Sequence, residues 1–143
     1  QVKLADWSHW SWRKVGTRRA QSISKLCMAA AVEQDSQGNV RKARIAMGAV
    51  ADRPIRLKAV EQHLEKHYKV AGLTQTELLF EQLAMAADIQ KIVRASLQPI
   101  SDVRSSAFYR QECAVRLLQN FAREIYVKDG LQLNGSGMTD GED

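Results

Sequence analysis

Ser24-Lys25-Leu26-Cys27-Met28-Ala29-Ala30-Ala31-Val32-Glu33 puts Leu26, Met28, Ala30 and Val32 on one parity and the smaller Cys27, Ala29 and Ala31 on the other. A period of two marks an extended strand, whose successive side chains point to opposite faces. Apolar residues on both parities predict a strand covered on both sides. Alanine favours helix, but the polar turn Asp35-Ser36-Gln37-Gly38-Asn39 follows. A second run then spans residues 40–50, with Val40 out of phase and Ala43, Ile45, Met47 and Ala49 alternating regularly. Together these predict a β-hairpin. Gly48 among small neighbours predicts a bulge or the close approach of another backbone, and Pro54 ends pairing or confines it to an edge.

Beyond Leu57 the period lengthens. Val60, Leu64 and Tyr68 fall four apart, as on an amphipathic helix that closes near Gly72. Thr74 and Glu77 have capping-box spacing, which predicts a second helix with an apolar stripe of Leu79, Leu83, Ala86 and Ala87, running toward Val93 and stopped by Pro99. A third helix over about 106–127 follows from Ala114, Leu117, Leu118, Phe121 and Ile125. The connector Pro99-Ile100-Ser101-Asp102-Val103-Arg104-Ser105-Ser106 reads as structural, with Asp102 forming an Asx turn and pairing with Arg104, and Ser105 or Ser106 capping the helix. A hairpin followed by helices segregated in sequence predicts an α+β domain, its helices on one face of a small antiparallel sheet.

The 143 residues, 45% hydrophobic and 26% charged, suit one globular domain. No apolar run reaches the length of a membrane span, and the opening lacks the layout of a secretory signal, so a cytoplasmic protein is expected. Gln1 at the start points to a processed product or a piece of a longer chain. Cys27 and Cys113 lie far apart and read as small core residues in a reducing compartment. The net charge of +5 comes from 21 Lys plus Arg against 16 Asp plus Glu. Arg13, Lys14, Arg18, Arg19 and Lys25 follow Trp7, Trp10 and Trp12 with no acid between residues 13 and 25, so an anion is the expected partner there. The Gly-, Ser- and acid-rich end of the chain is expected to be disordered.

Complete catalytic motifs are missing. His63 and His67 stand four apart on a predicted helix, but Leu64 occupies the place where a metalloprotease helix has Glu, and no third ligand is evident. They read as solvated histidines, and no metal site is expected. His9 has no nameable partner. Neither G-x-G-x-x-G nor a Walker loop occurs, and Gly135-Ser136-Gly137 is no nucleophile elbow. What remains is Trp12-Arg13-Lys14-Val15-Gly16-Thr17-Arg18-Arg19-Ala20, where cations could hold phosphate, Gly16 could admit a close backbone approach and Thr17 could supply a hydroxyl.

Four ordered blocks carry a resemblance. They are Lys14-Val15-Gly16-Thr17-Arg18-Arg19-Ala20, Ile23-Ser24-Lys25, Ala43-Arg44-Ile45-Ala46-Met47-Gly48-Ala49-Val50-Ala51 with Pro54-Ile55-Arg56, and Pro99-Ile100-Ser101-Asp102-Val103-Arg104-Ser105-Ser106-Ala107 with Tyr109-Arg110. Over roughly 12–126 the sequence resembles the C-terminal domain of the FAD-binding (medium) subunit of molybdenum hydroxylases, the group of xanthine dehydrogenase and aerobic carbon monoxide dehydrogenase. The resemblance implies a sheet of about three strands packed against helices, adding a strand that periodicity does not reveal. It divides the chain into a junction to an FAD domain (1–11), the domain itself (12–128) and a disordered polar tail (129–143).

The resemblance also implies an oxidoreductase of several parts. Substrate is hydroxylated at a molybdopterin centre, 2Fe-2S clusters in partner subunits or domains carry the electrons to FAD, and FAD reduces NAD or another acceptor. Partners would be the FAD-binding domain and the iron–sulfur and molybdenum subunits, with no membrane and no nucleic acid. Among cofactor contacts it carries over Lys14, whose ammonium acts as a point charge or donor near FAD. Arg18 matches the motif without an assigned contact. The glycine-rich region that cradles FAD in the family is not within these residues, so no catalysis is expected of this chain in isolation. The alternative is a basic, Trp-containing nucleic-acid-binding module, with Trp12 stacking on bases and Arg13, Lys14, Arg18 and Arg19 on phosphates. Its charge excess is modest, and no nucleic-acid motif accompanies it.

Overall fold

The computed structural model describes residues 7–18 and 22–134, with side chains up to Tyr126. Strands β1 (His9–Val15), β2 (Leu26–Gln34), β3 (Val40–Gly48) and β4 (Ile55–Arg56) form one antiparallel sheet in that order, and helices α1 (Lys58–His67), α2 (Gln75–Ser96) and α3 (Ala107–Asn134) follow. The fold is α+β as expected, with a fourth, two-residue strand added at the edge. The expected 1–11 junction lies largely outside the described residues, as do Arg19, Ala20 and residues 135–143.

The hairpin forms between β2 and β3, with Met28 opposite Met47, Ala30 opposite Ile45 and Val32 opposite Ala43. All six side chains are buried. The Asp35 carboxylate shapes the turn by accepting the Gln37 N–H at 2.9 Å and the Asn39 N–H at 3.0 Å, while Gly38 adopts φ 83°. A register shift between Glu33 and Gln34 accounts for the broken phase at Val40. The outward parity of β2 departs from expectation: Ala29 is exposed and Cys27 and Ala31 are half-buried. Among the described residues the sheet is covered by helices on one face and open on the other.

β1 completes the sheet with polar residues pointing inward and tryptophans outward. Ser11, opposite Ala30, is buried, and the His9 ring lies 5.4 Å from Phe121 of α3 with Nε2 3.6 Å from Glu124. Trp10 and Trp12 remain 69% and 58% exposed. At the other edge β4 is too short to pair all of β3, so α1 supplies the acceptors. The Ala43 N–H donates to Glu65 Oε1 and the Ile45 N–H to Glu61 Oε1, both at 2.8 Å. Two glutamates thus close an edge that would otherwise offer unpaired N–H groups.

In α1, Val60 and Leu64 are buried, and the helix ends earlier than expected, with buried Tyr68 as its C-cap. α2 begins at the Thr74–Glu77 capping box. Its buried stripe is Met85, Ile89 and Val93 rather than the expected one: Leu79, Leu83 and Ala87 are exposed and Ala86 is half-buried. The helix has two apolar stripes, and the second is the one that joins the common core. α3 buries Ala114, Leu118, Phe121 and Ile125 as expected, with Leu117 only partly covered, and its backbone runs to Asn134, into the stretch expected to be tail. No helix among the described residues is long and apolar enough to cross a membrane.

Candidate functional site

The four blocks meet at one end of the sheet. Lys14 of β1 stands opposite Cys27 of β2, which stands opposite Gly48 of β3, so the three form a row across the open face. The Lys25 N–H donates to the Val15 carbonyl at 2.8 Å, tying the first block to the second. A Cβ on Gly16 would come within 2.1 Å of Ser22 Oγ, whose hydroxyl donates to the Arg18 carbonyl. The chain's own return thus occupies the space that the sequence leaves open for a phosphate. Thr17 is exposed. Lys14 is exposed and has no hydrogen bond or ion pair among the described residues.

The third and fourth blocks brace this end from behind. Arg110, only 4% exposed, donates through Nη1 to the Ala49 carbonyl at 2.8 Å and through Nη2 to Asp102 Oδ1 at 2.6 Å. Asp102 forms the expected Asx turn, accepting from the N–H groups of Arg104 and Ser105, but its side-chain partner is Arg110 and not Arg104. The Arg104 N–H holds its carboxyl below the usual range; burial opposes this, and the Arg110 hydrogen bond adds to it. The Lys25 ammonium sits 5.1 Å from the centre of the Tyr109 ring. A hydrogen bond with Cys113 pushes the Tyr109 hydroxyl up, with the Cys113 charge and burial acting in the same direction.

Close packing fixes the row itself. A Cβ on Gly48 would lie 2.7 Å from Cys27 Sγ, so what approaches Gly48 is a side chain and not the backbone expected. Gly48→Ala is therefore expected to cost about 1–3 kcal/mol, and adding Cys27→Ala should recover most of it. Urea unfolding of the four chains of that cycle measures this; a Gly48→Ala cost untouched by Cys27→Ala contradicts the contact.

Elsewhere two expectations need correcting. Cys27 and Cys113 are free thiols, both half-buried; Cys113 packs against the core as expected, whereas Cys27 lies on the open face of the sheet. His63 is not solvated: burial lowers its pKa, the neighbouring His67 lowers it further, and Asp88 opposes both. Its Nε2 lies 3.4 Å from Asp88 Oδ2 without hydrogen-bonding geometry, and the His67 ring lies 4.7 Å from its own. Among the described residues no three His, Cys, Asp or Glu side chains are placed to hold a metal ion.

Periodicity does not bring Lys25, Tyr109 and Arg110 to the end of the sheet that carries Lys14; their common signal is the order of the four blocks, while Cys27, outside those blocks, meets Lys14 through the β1–β2 register.

A family model described as the CO dehydrogenase flavoprotein C-terminal domain matches residues 11–125. No curated protein matches. Among solved structures the chain is similar to quinoline 2-oxidoreductase from Pseudomonas putida 86, with TM-score 0.61 and 20% identity over 85% of this chain and 38% of that one. It is similar to a carbon monoxide dehydrogenase from Hydrogenophaga pseudoflava that lacks the Mo-pyranopterin moiety, with TM-score 0.59 and 23% identity over 85% and 39%. A cyanide-inactivated Cu,Mo-CO dehydrogenase gives TM-score 0.59 and 19% identity over 82% and 36%. At these identities the likeness is one of fold, and the chain spans under two fifths of each of these structures' chains.

Proposed function

The chain belongs to the CO dehydrogenase flavoprotein C-terminal domain family, and from that premise we propose that it is the C-terminal module of the FAD-binding subunit of a xanthine dehydrogenase-like molybdenum hydroxylase. In this role it helps close the flavin site and assemble the complex in which 2Fe-2S clusters deliver electrons to FAD and FAD passes them to NAD or another acceptor. The molybdopterin centre belongs to a partner subunit. The names of the similar structures, an oxidoreductase and two carbon monoxide dehydrogenases, support the class. What supports the reading most directly is the meeting of the four blocks at the sheet end that carries Lys14, which is exposed and, among the described residues, unpaired. A cytoplasmic location is part of the same proposal, supported by the two free thiols.

The residues present fit one contact to FAD, not its whole binding site. A diphosphate needs several backbone N–H groups converging on it, commonly at a helix N-terminus. Here the start of α3 is closed by its own serines, the Ala107 N–H donating to Ser101 Oγ and the Tyr109 N–H to Ser106 Oγ. Another domain or polypeptide therefore holds the cofactor, and bound FAD supplies the electron-carrying chemistry. Lys14 would supply a charged N–H donor to the bound flavin, and the small residues Cys27 and Gly48 beside it would leave that end of the sheet open to approach.

Lys14→Ala in the assembled enzyme is expected to leave the fold intact and weaken flavin retention by about tenfold, the loss of one charge-assisted hydrogen bond. Flavin content per complex and the rate of flavin reduction measure it. If both are unchanged, Lys14 has no cofactor role.

A further inference from the structure

We propose that the open face of the sheet is the surface by which this module docks on the flavin-bearing polypeptide, and that it takes an apolar element of that partner flanked by carboxylates. The inference rests on the functional reading above and adds to it the face and the chemistry of the partner.

Outward residues of the three long strands build the surface. β1 contributes Trp10, Trp12 and Lys14; opposite them stand Ala31, Ala29 and Cys27 of β2. The two tryptophans, at their 69% and 58% exposure, present about 300 Å² of ring surface. That reaches the lower end of the range, about 300–600 Å², of the largest apolar patch on an ordinary monomer, a patch that is often functional. Beside them Trp7, Ala29, Ala31, Ala46, Arg44 and Arg56 line a shallow groove of about 280 Å³. A floor of alanines admits a partner's side chains close to the backbone, and rigid indole rings lose little entropy when covered.

Charge decides the chemistry of the occupant. Arg44 and Arg56 are 43% and 48% exposed at the groove; Arg56 pairs with Glu61, which faces inward and also accepts the Ile45 N–H, and Arg44 pairs at 3.3 Å with Glu65, which also accepts the Ala43 N–H at the sheet edge. Lys42 lies over the Trp7 ring, and Lys14 is unpaired among the described residues. Cations thus outnumber carboxylates on the face, where Glu33 follows Ala31 on the outward parity of β2 opposite Lys42, and carboxylates at the rim of an apolar element complement the surplus. Trp12 and Lys14 are successive outward residues of one strand, so docking there carries the lysine to its cofactor. The exposed stripe Leu79, Phe80 and Leu83 lies on a stretch of α2, residues 75–87, that carries Glu77 and Glu81 and no Lys or Arg, and serves as the control surface.

Co-expression with the flavin-bearing polypeptide, followed by co-purification, tests the inference. Ala29→Arg, at an exposed floor position, and separately the double change Trp10→Ser/Trp12→Ser are expected to reduce the chain recovered in the complex at least about tenfold. Phe80→Arg should leave recovery unchanged, and hydroxyl-radical labelling of Trp10 and Trp12 should fall when the wild-type complex forms. Full recovery of both face variants, or loss only with Phe80→Arg, overturns the docking face while leaving the functional reading standing. If the wild-type chain fails to co-purify, the functional reading falls with it. Self-association abolished by Ala29→Arg, or salt-sensitive binding of oligo(dT) lost in the tryptophan variant, assigns the face to a second copy or to nucleic acid and overturns the proposal.

Discussion

Glu61→Leu is expected to cost about 3–5 kcal/mol of folding stability. Glu61 is 3% exposed, accepts the Ile45 N–H at 2.8 Å and the Arg56 Nε–H at 3.1 Å, and receives a second bond from Arg56 Nη2. Leucine fills a similar volume but leaves the Ile45 N–H without an acceptor on an edge that β4 does not reach. Arg56 loses its partner as well, although half of it is in solvent and rehydrates. Adding Arg56→Met should therefore recover only the smaller share.

Acid sensitivity follows from the same carboxylate. Burial pushes the Glu61 carboxyl up, but the Arg56 hydrogen bond, the Ile45 N–H and the charges of Arg56 and Arg44 outweigh burial and hold it below the ordinary value. The folded pKa is thus below the unfolded one. Its contribution is complete above the unfolded carboxylate pKa of about 4.3 and is lost as pH falls through the folded value. Urea unfolding at neutral pH and across that acid range reads both effects. Glu61→Leu should be less stable at neutral pH and should lose stability less steeply on acidification; a neutral-pH loss under about 1 kcal/mol contradicts the edge-closing role.

Arg110→Met carries the second large effect, about 2–4 kcal/mol. The side chain is almost wholly buried and joins the Ala49 carbonyl to the Asp102 connector. Methionine keeps the aliphatic stem but orphans the carbonyl. Asp102 is a third exposed and regains water, which holds the loss below that of a fully buried pair. Ala49 adopts φ 64°, a left-handed conformation that costs a non-glycine residue about 1 kcal/mol, and Arg110 helps to hold it there. Ala49→Gly should therefore stabilise both the wild type and Arg110→Met by about that amount. Denaturant midpoints across the four chains measure this; a single-variant loss within about 0.5 kcal/mol contradicts the bracing role.

Sequence and structure agree where a pattern had one physical cause. The β2–β3 hairpin was readable because its buried side chains alternate and a real turn joins them, and α3 because one apolar stripe has no competitor. β1 escaped periodicity because its inward residues His9, Ser11 and Arg13 are polar, leaving Val15 as its one inward apolar residue, while its tryptophans face out. On α2 two stripes compete, and only the placement of α3 decides that Met85, Ile89 and Val93 are inside. Coverage of β2 on both sides was misread because an alanine strand looks the same whether a partner lies on it or not. At the site, charge marked the basic stretch that contains Lys14, and block resemblance alone singled out Lys14 within it as the flavin contact. Arg110 could not be paired with Ala49 from sequence, since that contact spans more than half the domain and rests on a backbone carbonyl.

Flavin content of the partner tests the central claim most directly: FAD per flavin-bearing polypeptide, by absorbance after gel filtration, with and without this chain co-expressed. Adding the chain should raise FAD occupancy, and Lys14→Ala should raise it less. Equal occupancy in the presence and absence of the chain contradicts the claim that this sheet end helps to close a flavin site.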